Sequence, residues 1–133
     1  MQRIMKNPIV IWSVKIIAVI ILLQTLYFKF SAAPESVYIF TKLGAEPFGR
    51  IGSGVIELIA SILILVPRTS FYGAVLGFCT MAGAVLSHIF VLGIIIQNDG
   101  GELFLLAIIT LVCCLILIYM QKEKILNGLL QKI

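Results

Sequence analysis

A chain of 133 residues that is 61% hydrophobic and only 12% charged, with a mean hydropathy of +1.15, falls outside the composition of water-soluble domains. That length holds about four bilayer spans of roughly 20 residues and leaves no room among them for a separate soluble catalytic domain. The net charge of +4, concentrated toward the chain ends, suits anionic membrane lipids and not nucleic acid.

The first apolar run covers residues 9–30 and follows Pro8, whose missing N–H has no intrahelical partner at a helix start. It is longer than the apolar part of a cleaved leader, it carries Lys15, and Phe28-Lys29-Phe30 is a poor small-residue cleavage site, so the run reads as a retained span. Lys15 is expected to snorkel toward the near membrane surface. The connection that follows contains PESVYIFTKLG, in which Pro34 and Glu35 suit a first turn, Val37 and Phe40 share a face, and Gly44 suits a C-cap. This predicts a short helix over 34–44, lying at the outer membrane surface.

The second run covers residues 49–66, and Pro67-Arg68-Thr69-Ser70 separates it from a third over 71–96. Gln97-Asn98-Asp99-Gly100-Gly101 breaks the third from a fourth over 102–120, which ends in Gln121-Lys122-Glu123-Lys124. Short connections make neighbouring helices antiparallel. The fold class predicted is therefore all-α, a transmembrane four-helix bundle in a single domain over 1–133. With Arg3, Lys6, Arg68, Lys122, Lys124 and Lys132 on one side and Lys29, Lys42 and Arg50 on the other, the positive-inside bias places both termini in the cytoplasm.

Glu57 stands inside GRIGSGVIELIASILILV, where an ionised carboxylate in hydrocarbon costs about 2.5–3.5 kcal/mol unless it is protonated, paired or beside a wet cavity. At ~1.5 Å of rise per residue from the outer helix ends, Glu57, His88 and Thr110 each fall about 12 Å deep, and Gln24 about 9 Å. Lys29 sits at the rim on a stem long enough to bend inward. Arg50, Ser53, Gly54, Glu57 and Ser61 form one polar and small stripe, and Gly73, Gly77, Ala84 and His88 form another, which lets the helices approach and turns Glu57 and His88 inward. Gln24 and Lys29 are about 140° apart in helical phase, so they cannot both point straight inward, and Lys29 is favoured.

The candidate polar layer is thus Lys29, Glu57, His88, Gln24, Arg50 and Thr110. Burial opposes ionisation of Glu57 while a neighbouring cation favours it. A carboxyl and an imidazole in one layer can handle a proton or polarise a ligand. A Glu–Lys or Glu–His pair can equally do no more than lock helices together.

Cys79, Cys113 and Cys114 contain no Cys-x-x-Cys, and adjacent helical cysteines point about 100° apart, so they read as small packing residues. His88 is the one histidine, which rules out a bis-histidine haem within a single chain, and no metal-ligand cluster is visible. The glycines of residues 49–54 open a membrane helix and form no phosphate loop. An electron carrier would have to be a bound quinone or belong to a partner.

The ordered series Lys29-Phe30, Pro34-Glu35-Ser36-Val37, Phe40, Leu43-Gly44, Arg50, Gly54-Val55-Ile56-Glu57, Pro67, Gly73-Ala74, Gly83-Ala84 and His88 resembles the DoxX-like family of small four-helix membrane proteins, over residues 13–110. The resemblance implies a four-helix bundle with a short helical segment between the first two spans, in a bacterial-type cytoplasmic (inner) membrane. It also implies that Lys29, Glu57 and His88 occupy the family's recurring polar positions. The founding member is described as the small subunit of a thiosulfate:quinone oxidoreductase, but a fold can transfer where a substrate does not. The expectation is an accessory or binding protein, not an enzyme as an isolated chain, whose polar site takes a quinone- or lipid-like ligand. The alternatives are a small subunit of a quinone-linked membrane redox complex and a purely structural oligomeric bundle. The partners expected are membrane lipids, with a second copy or a membrane redox partner, and no nucleic acid.

Overall fold

The computed structural model describes residues 7–96 and 100–132. Arg3, Lys6 and the Gln97-Asn98-Asp99 part of the expected break lie outside the described residues.

Helix α1 runs Pro8–Phe30, opened by Asn7, whose side-chain oxygen accepts from the Ile9 N–H at 2.9 Å. Helix α2 is short, Pro34–Lys42, and Gly44 just past it takes a left-handed φ of 73°, as a residue without Cβ does at a helix end. Helix α3 runs Phe48–Leu65, helix α4 runs Ser70–Ser87 and continues into a single π-helical turn, His88–Leu92, and helix α5 runs Glu102–Lys132.

Two of these ends differ from the sequence expectation for physical reasons. The third apolar run does not stay helical to residue 96. Gly93, at φ 80°, ends the π turn by donating its N–H to the His88 carbonyl at 2.8 Å, and hydropathy is blind to a backbone reversal that glycine permits. At the other extreme, α5 passes beyond residue 120 through the charged segment, because Gln, Lys and Glu are good helix formers whether or not they are apolar.

Among the described residues four helices are long and apolar enough to cross a membrane: Pro8–Phe30, Phe48–Leu65, Ser70–Leu92 and Glu102–Glu123. Their outward faces carry exposed Ile20, Ile62, Leu86 and Leu115, the surface that lipid accepts and water does not. The protein is a small multi-pass helical membrane protein. Around the bundle, α1 packs on α3 and α5, and α4 packs on α3 and α5, closing a four-membered ring. Val19, Leu22, Ile64, Ala74, Met81, Ala107 and Leu117 fill its centre.

Lipid tails are as apolar as leucine, so close backbone packing has to substitute for a hydrophobic drive between helices. Gly73 is where α3 and α4 come closest, for a Cβ there would meet the Ile64 backbone nitrogen at 2.6 Å and the Ala60 carbonyl at 2.9 Å. Gly77 faces Cys114 in the same way, with Sγ 2.9 Å from a Cβ built on the glycine. Cys113 and Cys114 are buried packing residues, whereas Cys79 is exposed on the lipid-facing side. Gly73→Val is expected to lower unfolding stability in detergent by about 1–3 kcal/mol. Gly52→Ala, at a helical glycine with nothing within 4 Å, should change it by less than about 1 kcal/mol and in the stabilising direction.

Candidate functional site

The site is assembled where α1 ends and α3 begins. Gly54 lets the Phe30 ring press against α3, since a Cβ there would sit 2.8 Å from the ring edge. That approach brings Lys29 to Glu57. The Lys29 ammonium donates to Glu57 Oε1 at 2.5 Å and to Ser53 Oγ at 3.1 Å, and it lies 5.5 Å from the centre of the Phe40 ring of α2. Ser53 gives its own hydrogen to the Arg50 carbonyl, which leaves its oxygen free to receive the ammonium. Lys29 is 8% exposed and Glu57 only 1%, so the pair is cut off from solvent.

Arg50, one turn before Ser53 and two before Glu57, does not reach this pair directly. It donates from Nη1 to the Lys29 backbone carbonyl and from Nε to both Glu46 carboxylate oxygens, at 2.8 and 3.0 Å. A guanidinium at the last turn of α1 adds to the long 3.4 Å bond that the Lys29 carbonyl accepts from the Ala32 N–H, and opposes the negative end of the helix dipole. Arg50 therefore fixes the backbone that carries Lys29.

His88 reaches the site from α4 because it opens the π turn. Its Nδ1 lies 3.0 Å from the Gly93 carbonyl, and since a carbonyl only accepts, Nδ1 is the nitrogen that carries the hydrogen in this contact. Phe104 of α5 backs the imidazole, with ring centres 5.5 Å apart.

Between these groups lies a cavity of about 450 Å³, within the size range of small-molecule sites. Gln24, Thr25 and Lys29 of α1, Glu35, Ser36 and Phe40 of α2, Ser53 and Glu57 of α3, Thr80, Ser87 and His88 of α4, and Glu102 and Leu106 of α5 all line it. One Glu57 oxygen, Oε2, is buried there without a hydrogen-bond partner among the described residues.

Of the six residues singled out in the sequence, Lys29, Glu57, His88 and Gln24 line this one cavity, and Arg50 and Thr110 do not. Thr110 is fully buried and returns its hydroxyl to the Leu106 carbonyl at 2.9 Å, so equal depth did not mean a common direction. The depth assigned to His88 was counted from residue 96. With the helix ending at Leu92, His88 stands one turn from the end and not two. Lys15 is 4% exposed, with Nζ 4.5 Å over the Trp12 ring, one turn nearer the N-terminal end of α1.

Sequence reasoning missed the α2 wall and Glu102. Both carry an acidic residue in a first helical turn at the same end of the bundle as Lys29, and that shared placement was the available signal. Among the described residues no group of three His, Cys, Asp or Glu side chains could hold a metal ion. No family model, curated protein or solved structure matches the chain.

Arg50→Lys keeps the charge but loses the fork that spans the Glu46 carboxylate and the Lys29 carbonyl together. It is expected to lower stability in detergent by about 1–2 kcal/mol, measured by thermal unfolding.

Proposed function

We propose that this small membrane protein is of DoxX-like type and acts as a binding or accessory protein, holding an amphipathic quinone- or lipid-like molecule in the cavity between Lys29, Glu57 and His88. It does so in a bacterial-type cytoplasmic membrane with both termini cytoplasmic. The observation that carries the reading is that Glu57, a buried acid whose Oε2 has no hydrogen-bond partner among the described residues, belongs to the wall of a cavity of about 450 Å³. Buried polar atoms are almost always hydrogen-bonded, and a salt bridge serving only to fasten two helices has no need of a chamber. The residue series resembling the family supports the same reading, since three of its polar positions, Lys29, Glu57 and His88, line that chamber.

The arrangement would hold a polar head against Glu57 and His88 and let an apolar tail run along Phe28 and Leu106, which also line the cavity. Chemistry by electron transfer would need a carrier from the ligand or from a partner. Ligand binding to the folded state alone stabilises by about 2.7 kcal/mol at a free concentration of 100 times Kd. A panel of membrane quinones and lipids is expected to contain at least one member that raises the thermal midpoint of the detergent-purified protein. Glu57→Gln should weaken that response by about tenfold in Kd, or about 1.4 kcal/mol. A flat response to the whole panel, with no difference between wild type and Glu57→Gln, would contradict the proposal.

A further inference from the structure

The hydrogen-bonding polarity of the cavity says more about its ligand than its size does. Three hydroxyl groups on its wall have already given away their hydrogens: Thr25 to the Ile21 carbonyl at 2.6 Å, Thr80 to the Gly77 carbonyl at 2.9 Å and Ser87 to the Gly83 carbonyl at 2.8 Å. Their oxygens are left as acceptors, while Gln24 on the same wall offers a carbonyl and an NH2. His88 has its Nδ1–H held by the Gly93 carbonyl, so a neutral imidazole would offer Nε2 as an acceptor. Glu57 Oε2, almost completely buried and unpartnered among the described residues, is a further acceptor.

Charge points the same way. Glu35, Glu57 and Glu102 all line the cavity, against the single ammonium of Lys29, and that ammonium is engaged by Glu57 Oε1 and Ser53. Glu35 and Glu102 form no ion pair with any described residue. Three carboxylates and one ammonium leave a deficit of positive charge on the cavity wall, with Glu57 buried, Glu35 half-buried and Glu102 exposed.

We infer that the cavity selects a lipophilic amine: an ammonium head seated on Glu57 Oε2 among these acceptors, on an alkyl or isoprenoid tail. This rests on reading the cavity as a ligand site and chooses among the heads that reading allows. An ammonium brings three donors and one positive charge. A quinone head brings only acceptors, and a carboxylate or phosphate head adds a negative charge beside three others.

The test compares dodecylamine, dodecanol, dodecanoate and a decyl-tailed quinone, binding at pH 7 to the full-length protein in a non-ionic detergent micelle. The expected result is that dodecylamine binds about tenfold more tightly than any of the other three. Glu57→Gln and, separately, Glu102→Gln should each cut that preference for the amine over dodecanol by about threefold or more. Glu102 is exposed at the start of α5, so its variant tests the inference even if Glu57→Gln folds poorly. Quinone or dodecanoate binding as tightly as the amine overturns the inference and leaves the cavity as a ligand site. Binding of none of the four overturns both.

Discussion

An ammonium and a carboxylate 2.5 Å apart, sealed from solvent between two membrane helices, are the constraint around which this structure is arranged. Neither Lys29 nor Glu57 could be buried alone, because a single charge in hydrocarbon is costly and removing one partner of a buried pair leaves the other uncompensated. Their meeting requires that α1 and α3 come close, which Gly54 allows, and that the end of α1 hold still, which Arg50 secures through the Lys29 carbonyl. The small residues of α3 and α4 act on the other side. Gly73 brings α4 against α3, and His88, past the other end of α4, belongs to the same cavity wall as Glu57.

The bundle is left with a wedge of open space at one end. The π turn at His88 explains part of it, for an extra residue in a turn widens the helix and re-aims the side chains that follow. The short helix α2 explains the rest, since it lays Glu35, Ser36 and Phe40 along the wall without filling it. Polar groups inside a membrane bundle are costly to place there, and here they converge on one volume. That convergence, and not any one residue, is what the proposed binding role rests on.

Much of this was legible in the sequence because a bilayer leaves few options. Composition and four apolar runs specify a helical bundle, since lipid tolerates no unpaired backbone, and the stripe from Arg50 through Glu57 turns an acid inward whatever its partner. Lys29 was readable as that partner from its long stem and helical phase. The sequence could not show that Arg50 would serve a carbonyl, that Thr110 would satisfy itself, or that Lys15 would fold back on Trp12. Each depends on which tertiary neighbour comes within about 3 Å or which rotamer wins, and periodicity carries no such information. The end of α4 was hidden for a different reason: Gly93 looks like any small residue in an apolar run until its φ is known.

The central claim is that Lys29 and Glu57 form one energetic unit, and a double-mutant cycle on thermodynamic unfolding in mixed micelles tests it most directly. With Lys29→Met, Glu57→Leu and the two combined, each single substitution is predicted to cost about 3–5 kcal/mol, and the double variant to recover most of that loss, a coupling of several kcal/mol. Single substitutions that each cost less than about 1 kcal/mol and add without coupling would contradict it.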